Sequence, residues 1–167
     1  MMREDAKMQV LVLYHSRGGN TKKLAEEIAS GVEEAGEVKA LLKSATEVTK
    51  EDFLDCEGVI AGSPVYFGTM AAELKAVFDK FVSVRKKMEN KIGAAFATSA
   101  DASGGKETTL MSIIQAMLIY GMVIAGDPLD ATGHYGASCV GAPDEKALSN
   151  ARKLGRRVAM LVKKLRS

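Results

Sequence analysis

The sequence predicts an α/β fold, an open parallel sheet of five strands with helices on both faces. Three observations predict it. Short apolar runs alternate along the chain with longer segments of helical period. The clearest of these runs is apolar throughout, as a strand buried on both faces must be. No linker, internal repeat or low-complexity tract interrupts the alternation, so residues 1–167 are read as one domain.

The first strand is Val10-Leu11-Val12-Leu13-Tyr14, followed by the polar, Gly-rich Ser16-Arg17-Gly18-Gly19-Asn20-Thr21. Leu24, Ala25, Ile28, Ala29 and Val32 then recur at helical spacing, with Gly36 as the stop. Residues 38–42 form the second strand. Thr49 with Asp52 resembles a capping box that opens a short helix through Leu54. Residues 59–62 form the third strand, ended by Ser63-Pro64-Val65-Tyr66-Phe67-Gly68. Leu74, Val77, Phe78, Phe81 and Val82 mark an amphipathic helix. Residues 92–98 form the fourth strand, running into Ser99-Ala100-Asp101-Ala102-Ser103-Gly104-Gly105. A helix over 110–120 and a fifth strand over 122–125 follow. Residues 126–142 read as irregular. Pro143 and Asp144 then open a final helix to about Leu165, with acids early and bases late.

Composition narrows the function. With 47% hydrophobic and 26% charged residues, 16 Gly and 3 Pro, the chain can build a core and is neither disordered nor collagen-like. A net charge of +2 is too small to mark a nucleic-acid binder. Cys56 and Cys139 are far apart and lack a C-x-x-C partner, which excludes a zinc site or iron–sulfur cluster from this chain alone. The longest apolar stretch, 8–14, is far below the roughly 20 residues of a membrane span. The acidic leader at 1–5 lacks a signal-peptide core. A cytoplasmic location without membrane insertion is expected.

In sheets of this class ligands bind beyond the carboxyl ends of the strands. The loops at 16–21, 63–68 and 98–105 all fall on that edge. In the first, Ser16, Asn20 and Thr21 offer donors, Gly18 and Gly19 let backbone N–H groups approach an anion, and a helix begins near Asn20. This is chemistry for a phosphate monoester; Arg17 either helps to neutralise it or points to solvent. No P-loop and no G-x-G-x-x-G turn is present, which excludes kinase, GTPase and dinucleotide-fold readings. In the second loop Tyr66 and Phe67 stand together in a chain only 5% aromatic, which favours a flat ligand over core packing. Thr98 to Gly105 add hydroxyls and backbone amides. A flat polar-edged ring tied to one phosphate describes FMN.

These residues resemble the flavodoxin superfamily, and more closely the tryptophan repressor-binding-protein type of NAD(P)H:quinone oxidoreductase. The resemblance rests on the first loop, on Gly62-Ser63-Pro64-Val65-Tyr66-Phe67-Gly68-Thr69-Met70, on Gly105-Lys106-Glu107-Thr108-Thr109, on Tyr120-Gly121-Met122-Val123-Ile124 and on Tyr135-Gly136-Ala137. It implies strand order 2-1-3-4-5, bound FMN, NAD(P)H as donor and a quinone-like acceptor. It also implies Ser16, Arg17, Gly18, Gly19, Asn20 and Thr21 at the phosphate. Ser63, Pro64, Val65, Tyr66, Phe67 and Gly68 would lie along the isoalloxazine. Thr98, Ser99, Ala100, Asp101, Ser103, Gly104 and Gly105 would meet its pyrimidine side and ribityl chain. Tyr120 takes a substrate-facing catalytic role, and Tyr135 covers the site or anchors its loop. The third loop departs from the family by its Ala100-Asp101-Ala102; an inward Asp101 would disfavour an anionic reduced flavin. The chain is also short between Phe81 and Ile92 and has no Trp.

His15 and His134 have no visible partner and stay unassigned. From Asp144 to Ser167 eight Lys or Arg stand against two acids, a local charge of +6, leaving −4 for the remainder. The apolar face of that helix makes solvated charge the better reading, and no nucleic-acid partner is expected. Ser112 and Gln115 are the only polar residues of the 110–120 helix before Tyr120, so Met111, Met117 and Leu118 predict an exposed apolar patch and a homodimer or homotetramer through it. The leading function is an FMN-dependent NAD(P)H:acceptor oxidoreductase. Its rivals are a flavodoxin-type electron carrier and a cofactor-free interaction module.

Overall fold

The central run of the first strand, Val10 to Leu13, is wholly buried. Its alternate side chains leave the strand on opposite faces. Leu11 and Leu13 enter one core, and Val10 and Val12 enter the other. An apolar run with no polar face is satisfied only between two helical layers. The computed structural model describes residues 8–166, so the acidic leader lies outside the described residues.

β1 (Met8–Tyr14) pairs in parallel with β2 (Val38–Ser44) and with β3 (Gly58–Pro64). β3 pairs with β4 (Ile92–Ser99), and β4 with the two-residue β5 (Val123–Ile124). The order is β2-β1-β3-β4-β5, as the family resemblance implies. One correction concerns the segment read as irregular. It contains a sixth strand, β6 (Ala137–Val140), which also pairs with β4 in parallel. β5 faces Ile92 and Gly93, whereas β6 faces Phe96 to Ser99. The two are therefore one interrupted fifth strand, parted by an excursion over residues 125–136. β6 buries Ala137 and Cys139 and leaves Ser138 and Val140 more accessible, an edge-strand alternation unlike the continuous apolar runs.

α1 (Asn20–Glu34) and α5 (Glu145–Arg166) cover the Val10 face. α2 (Lys50–Asp55), α3 (Ala72–Lys80) and α4 (Lys106–Ile119) cover the Leu11 face. The capping box is present: Asp52 N donates to Thr49 Oγ1 at 3.2 Å, and Thr49 N donates to Asp52 Oδ2 at 2.8 Å. α3 ends before Val82, which is exposed on a tight 3-10 stretch, Val82–Met88, that leads to β4. On α4, Met117 is fully buried, contrary to expectation, because it faces the sheet. Met111, Leu118 and Ile119 are exposed on that helix, with Val123 just beyond it.

α1 and α5 meet almost backbone to backbone. A Cβ built on Gly155 would overlap the Ile28 carbonyl oxygen, and one on Gly31 would overlap that of Arg152. The basic face of α5 is answered by acids: Arg152 pairs with Glu27 and Glu34, Lys163 with Glu37 and Arg166 with Glu57. Exposed pairs of this kind each contribute about 0–1 kcal/mol, so close apolar packing dominates this contact. Gly155→Ala is therefore expected to cost about 1–3 kcal/mol, read as a lower urea midpoint, while Ser149→Ala on the exposed side of α5 leaves the midpoint in place.

Candidate functional site

The parallel register carries the ends of β1, β3, β4 and β6 to one edge of the sheet, where Tyr14 lies beside Gly62, Pro64 beside Thr98 and Ser99 beside Val140. The loops beyond enclose a cleft of about 580 Å³. It is lined by Ser16, Arg17, Gly18, Asn20, Thr21, Pro64, Val65, Tyr66, Thr98, Ser99, Ala100 and Gly141. All three loops singled out in the sequence contribute.

At one end α1 begins with Gly19 at its N-cap in the left-handed conformation (φ 93°), and no side chain caps the helix. Ser16 Oγ accepts from Gly19 N at 3.1 Å, which folds the loop across the helix end. A Cβ at Gly18 would meet nothing within 4 Å, so the space before these amides is open. The first turn holds no acid, and Arg17 is exposed at the rim. An uncapped helix N-terminus with free amides is an anion site. Thr21 Oγ1 and Thr98 Oγ1 are hydrogen-bonded at 2.8 Å in a buried contact that ties the first loop to the third.

The second loop divides the roles of its two aromatics. Tyr66 and Thr69 exchange backbone hydrogen bonds at 3.1 Å around Phe67 and Gly68, both at positive φ. This is a two-residue primed hairpin turn. Tyr66 walls the cleft, while Phe67 at the tip is fully exposed and outside the lining, a correction to the paired wall expected from sequence. The left-handed conformation costs a non-glycine residue roughly 1–2 kcal/mol. Ser63 is buried, donating to Pro64 O at 2.7 Å and accepting from Ala71 N at 2.8 Å, so it shapes the loop from beneath. His15, unassigned from sequence, stands edge-on to Tyr66 with ring centroids 6.2 Å apart. Its Nε2 is 3.7 Å from Glu73 Oε2. Only its place just after β1 hinted at this.

In the third loop Ser99 Oγ donates to Asp101 O at 2.7 Å, and Gly104 N donates to the same oxygen at 3.0 Å. Thr98, Ser99 and Ala100 line the cleft; Asp101, Ser103, Gly104 and Gly105 do not. Asp101 and Ser103 are exposed, because the loop coils outward around the Asp101 carbonyl. A Cβ on Gly105 would come within 3.1 Å of Gly68 Cα, so the second and third loops close on each other through two glycines.

Two tyrosines fall elsewhere. α4 runs from the cleft edge toward the opposite edge of the sheet, about 21 Å at 1.5 Å per residue. Tyr120 follows its far end, buried against Phe53 and Phe78 with its hydroxyl donating to Phe78 O at 2.5 Å. Burial, reinforced by the nearby Asp79, pushes its phenol up to about 12. It anchors the core and lies outside the cleft lining, a correction to the substrate-facing position expected from sequence. Tyr135 lies beside α4 in a separate hollow and does not line the cleft, since β6 starts midway along β4. Burial raises the Cys56 thiol to about 12 and that of Cys139 to about 11, so neither is a ready nucleophile. Among the described residues no group of His, Cys, Asp and Glu could hold a metal ion.

Sheet order and cleft together define a flavodoxin-like protein with a seat for a flat, phosphate-tailed ligand. The chain belongs to the NADPH-dependent FMN reductase family, whose model matches residues 41–135. It is 32% identical to an NAD(P)H dehydrogenase (quinone) of Archaeoglobus fulgidus across 94% of this chain and 98% of the relative. That alignment runs over 188 positions against 167 residues here, so the relative carries residues with no counterpart in this chain. It is also 37% identical to a flavodoxin of Aquifex aeolicus, over 90% of this chain and 85% of that one. A solved flavodoxin from the domain Archaea superposes with a TM-score of 0.80 at 28% identity, over 93% of this chain and 99% of the other.

The reassignment of Tyr120 has a direct test. Tyr120→Phe is expected to cost about 1–3 kcal/mol by leaving the buried Phe78 carbonyl without its donor. Flavin affinity and turnover should stay at the level of the unaltered protein.

Proposed function

We propose that the protein is an FMN-dependent oxidoreductase that takes two electrons from NAD(P)H and passes them to a quinone or a similar acceptor. One observation carries this reading: the open amino end of α1 and the Tyr66 wall face one cleft of about 580 Å³. FMN, when bound, supplies the two-electron redox chemistry. The chain binds and orients it. Ser16, Gly18, Asn20 and Thr21 hold the phosphate, helped by the dipole of α1 and by the charge of Arg17. Gly19 gives the loop its left-handed bend. Pro64, Val65 and Tyr66 lie along the ring, and Thr98, Ser99 and Ala100 offer hydroxyls and backbone groups to its polar edge and ribityl chain. Ser63, Gly68, Gly104 and Gly105 hold those loops together. Phe67 presents an apolar ring at the rim, suited to an incoming aromatic acceptor.

A flavodoxin-type electron carrier is the second reading, favoured by the flavodoxins among its relatives and structural neighbours. Against it stands the net charge of +2, since carriers that steer toward redox partners are usually acidic. Self-association is part of the proposal: Met111, Leu118, Ile119 and Val123 expose a patch on and beside α4 that a second copy would cover. So is a cytoplasmic location, in keeping with two unpaired cysteines. No helix among the described residues is long and apolar enough to cross a membrane.

Purified protein should be yellow, and NADH or NADPH should bleach it anaerobically within seconds. A yellow protein that neither nucleotide reduces is a carrier, and a colourless one that FMN cannot restore is neither. Asn20→Ala should weaken FMN binding roughly tenfold or more by removing a hydrogen bond to a charged group. Riboflavin, which lacks the phosphate, should bind both forms equally. Light scattering should find an oligomer that Ile119→Glu converts to a monomer.

A further inference from the structure

Beside the cleft, on the outer edge of β6, lies a second hollow of about 260 Å³ that shares no lining residue with it. Its wall on one side is the start of α4, with Lys106, Glu107 and Leu110. On the other side is the returning arm of the 125–136 excursion, with Tyr135 just before β6. Most of its exposed lining is polar, and Tyr135 is 53% exposed.

The excursion is held in place. Asp127 is buried, and its Oδ2 accepts from Gly136 N at 3.1 Å. Asn150 Nδ2 of α5 donates to Thr132 Oγ1 at 2.7 Å, and Lys153 Nζ donates to Asp130 O at 2.7 Å. A Cβ at Gly136 would overlap the Ala95 carbonyl oxygen, so the loop lies hard against β4. A half-exposed aromatic on an anchored loop offers a preformed stacking face at little entropic cost.

We infer that this hollow takes the adenosine diphosphate half of NAD(P)H, an assignment that rests on the oxidoreductase reading. The chemistry matches part by part. The Tyr135 ring stacks on a purine, the Glu107 carboxylate accepts from ribose hydroxyls, and the Lys106 ammonium sits as a point charge for the pyrophosphate. The position matches as well. Ser138 lines the hollow and Gly141 lines the cleft, about 10 Å apart at roughly 3.3 Å per residue. A pyrophosphate bridge can cover that separation, so a dinucleotide seated here extends its nicotinamide end to the edge of the cleft. The excursion that interrupts the fifth strand thereby acquires a task, the recognition of the electron donor.

The probe is ADP-ribose, which carries this half of the dinucleotide without the nicotinamide. On the FMN-loaded protein ADP-ribose should inhibit competitively against NAD(P)H. Tyr135→Ala should raise both its inhibition constant and the KM for NAD(P)H roughly tenfold, the worth of one lost base stack. The kcat, the flavin spectrum and the FMN affinity should not change. Lys106→Gln should raise KM several-fold and flatten its dependence on salt. Unchanged KM and inhibition constants in both variants, with normal reduction of the flavin, would overturn the hollow and leave the oxidoreductase reading standing. If neither nucleotide reduces the flavin, that reading fails instead, and calorimetry with ADP-ribose decides the hollow: binding weakened by Tyr135→Ala supports a nucleotide site, and no binding overturns it.

Discussion

The constraint on which this structure depends is that its central strands have no polar face. Val10 to Leu13, Val59 to Ala61 and Ala94 to Ala97 are buried on both sides, so the sheet must lie between two layers of helix. Helical crossovers keep those strands parallel, and parallel strands send all their carboxyl ends to one edge. The site follows from that geometry. Three loops distant in sequence become neighbours because the strands before them are in register.

At that edge the division of labour is physical. The first loop leaves a helix end unfilled, which favours a negative group without requiring a buried charge. The second places one aromatic in the cleft and turns the other out through a strained two-residue turn. The third keeps its acidic residue outside, because the Ser99 hydroxyl and the Gly104 amide both converge on the Asp101 carbonyl. A carboxylate that would oppose negative charge on a reduced ligand is therefore kept out of the lining. The cleft is electrostatically open to an anion at its α1 end and neutral along its ring walls.

The outer side of β4 carries a second feature of the structure. On the side away from β3, β4 is paired by two short strands rather than one, and the 125–136 excursion between them is pinned by a buried carboxylate and by side chains of α5. The pinning gives a second concave surface beside the cleft, held by hydrogen bonds from Gly136, Asn150 and Lys153. Tight contact of α1 with α5 through Gly31 and Gly155 supports the same face from the other side.

Much of this was legible in the chain itself. Continuous apolar runs, helical periods, the Thr49–Asp52 cap and the small polar loops at strand ends are local patterns, and local patterns survive in a one-dimensional reading. The uncapped start of α1 at the cleft was legible for the same reason, since Ser16 to Thr21 form one continuous loop between a strand and a helix. What the sequence could not decide depends on residues far apart. Tyr120 follows a strongly apolar helix, and only the length and direction of α4 show that it ends in the core at the opposite edge. Phe67 sits next to Tyr66 in sequence yet points away, because a turn of two left-handed residues reverses it. β6 is too short and too alternating to announce itself without β4 beside it. Sequence alone determined the layers and the ligand-bearing edge, through burial and backbone chemistry. Tertiary structure decided which side chains reach that edge, because direction in space is set by packing partners that lie elsewhere in the chain.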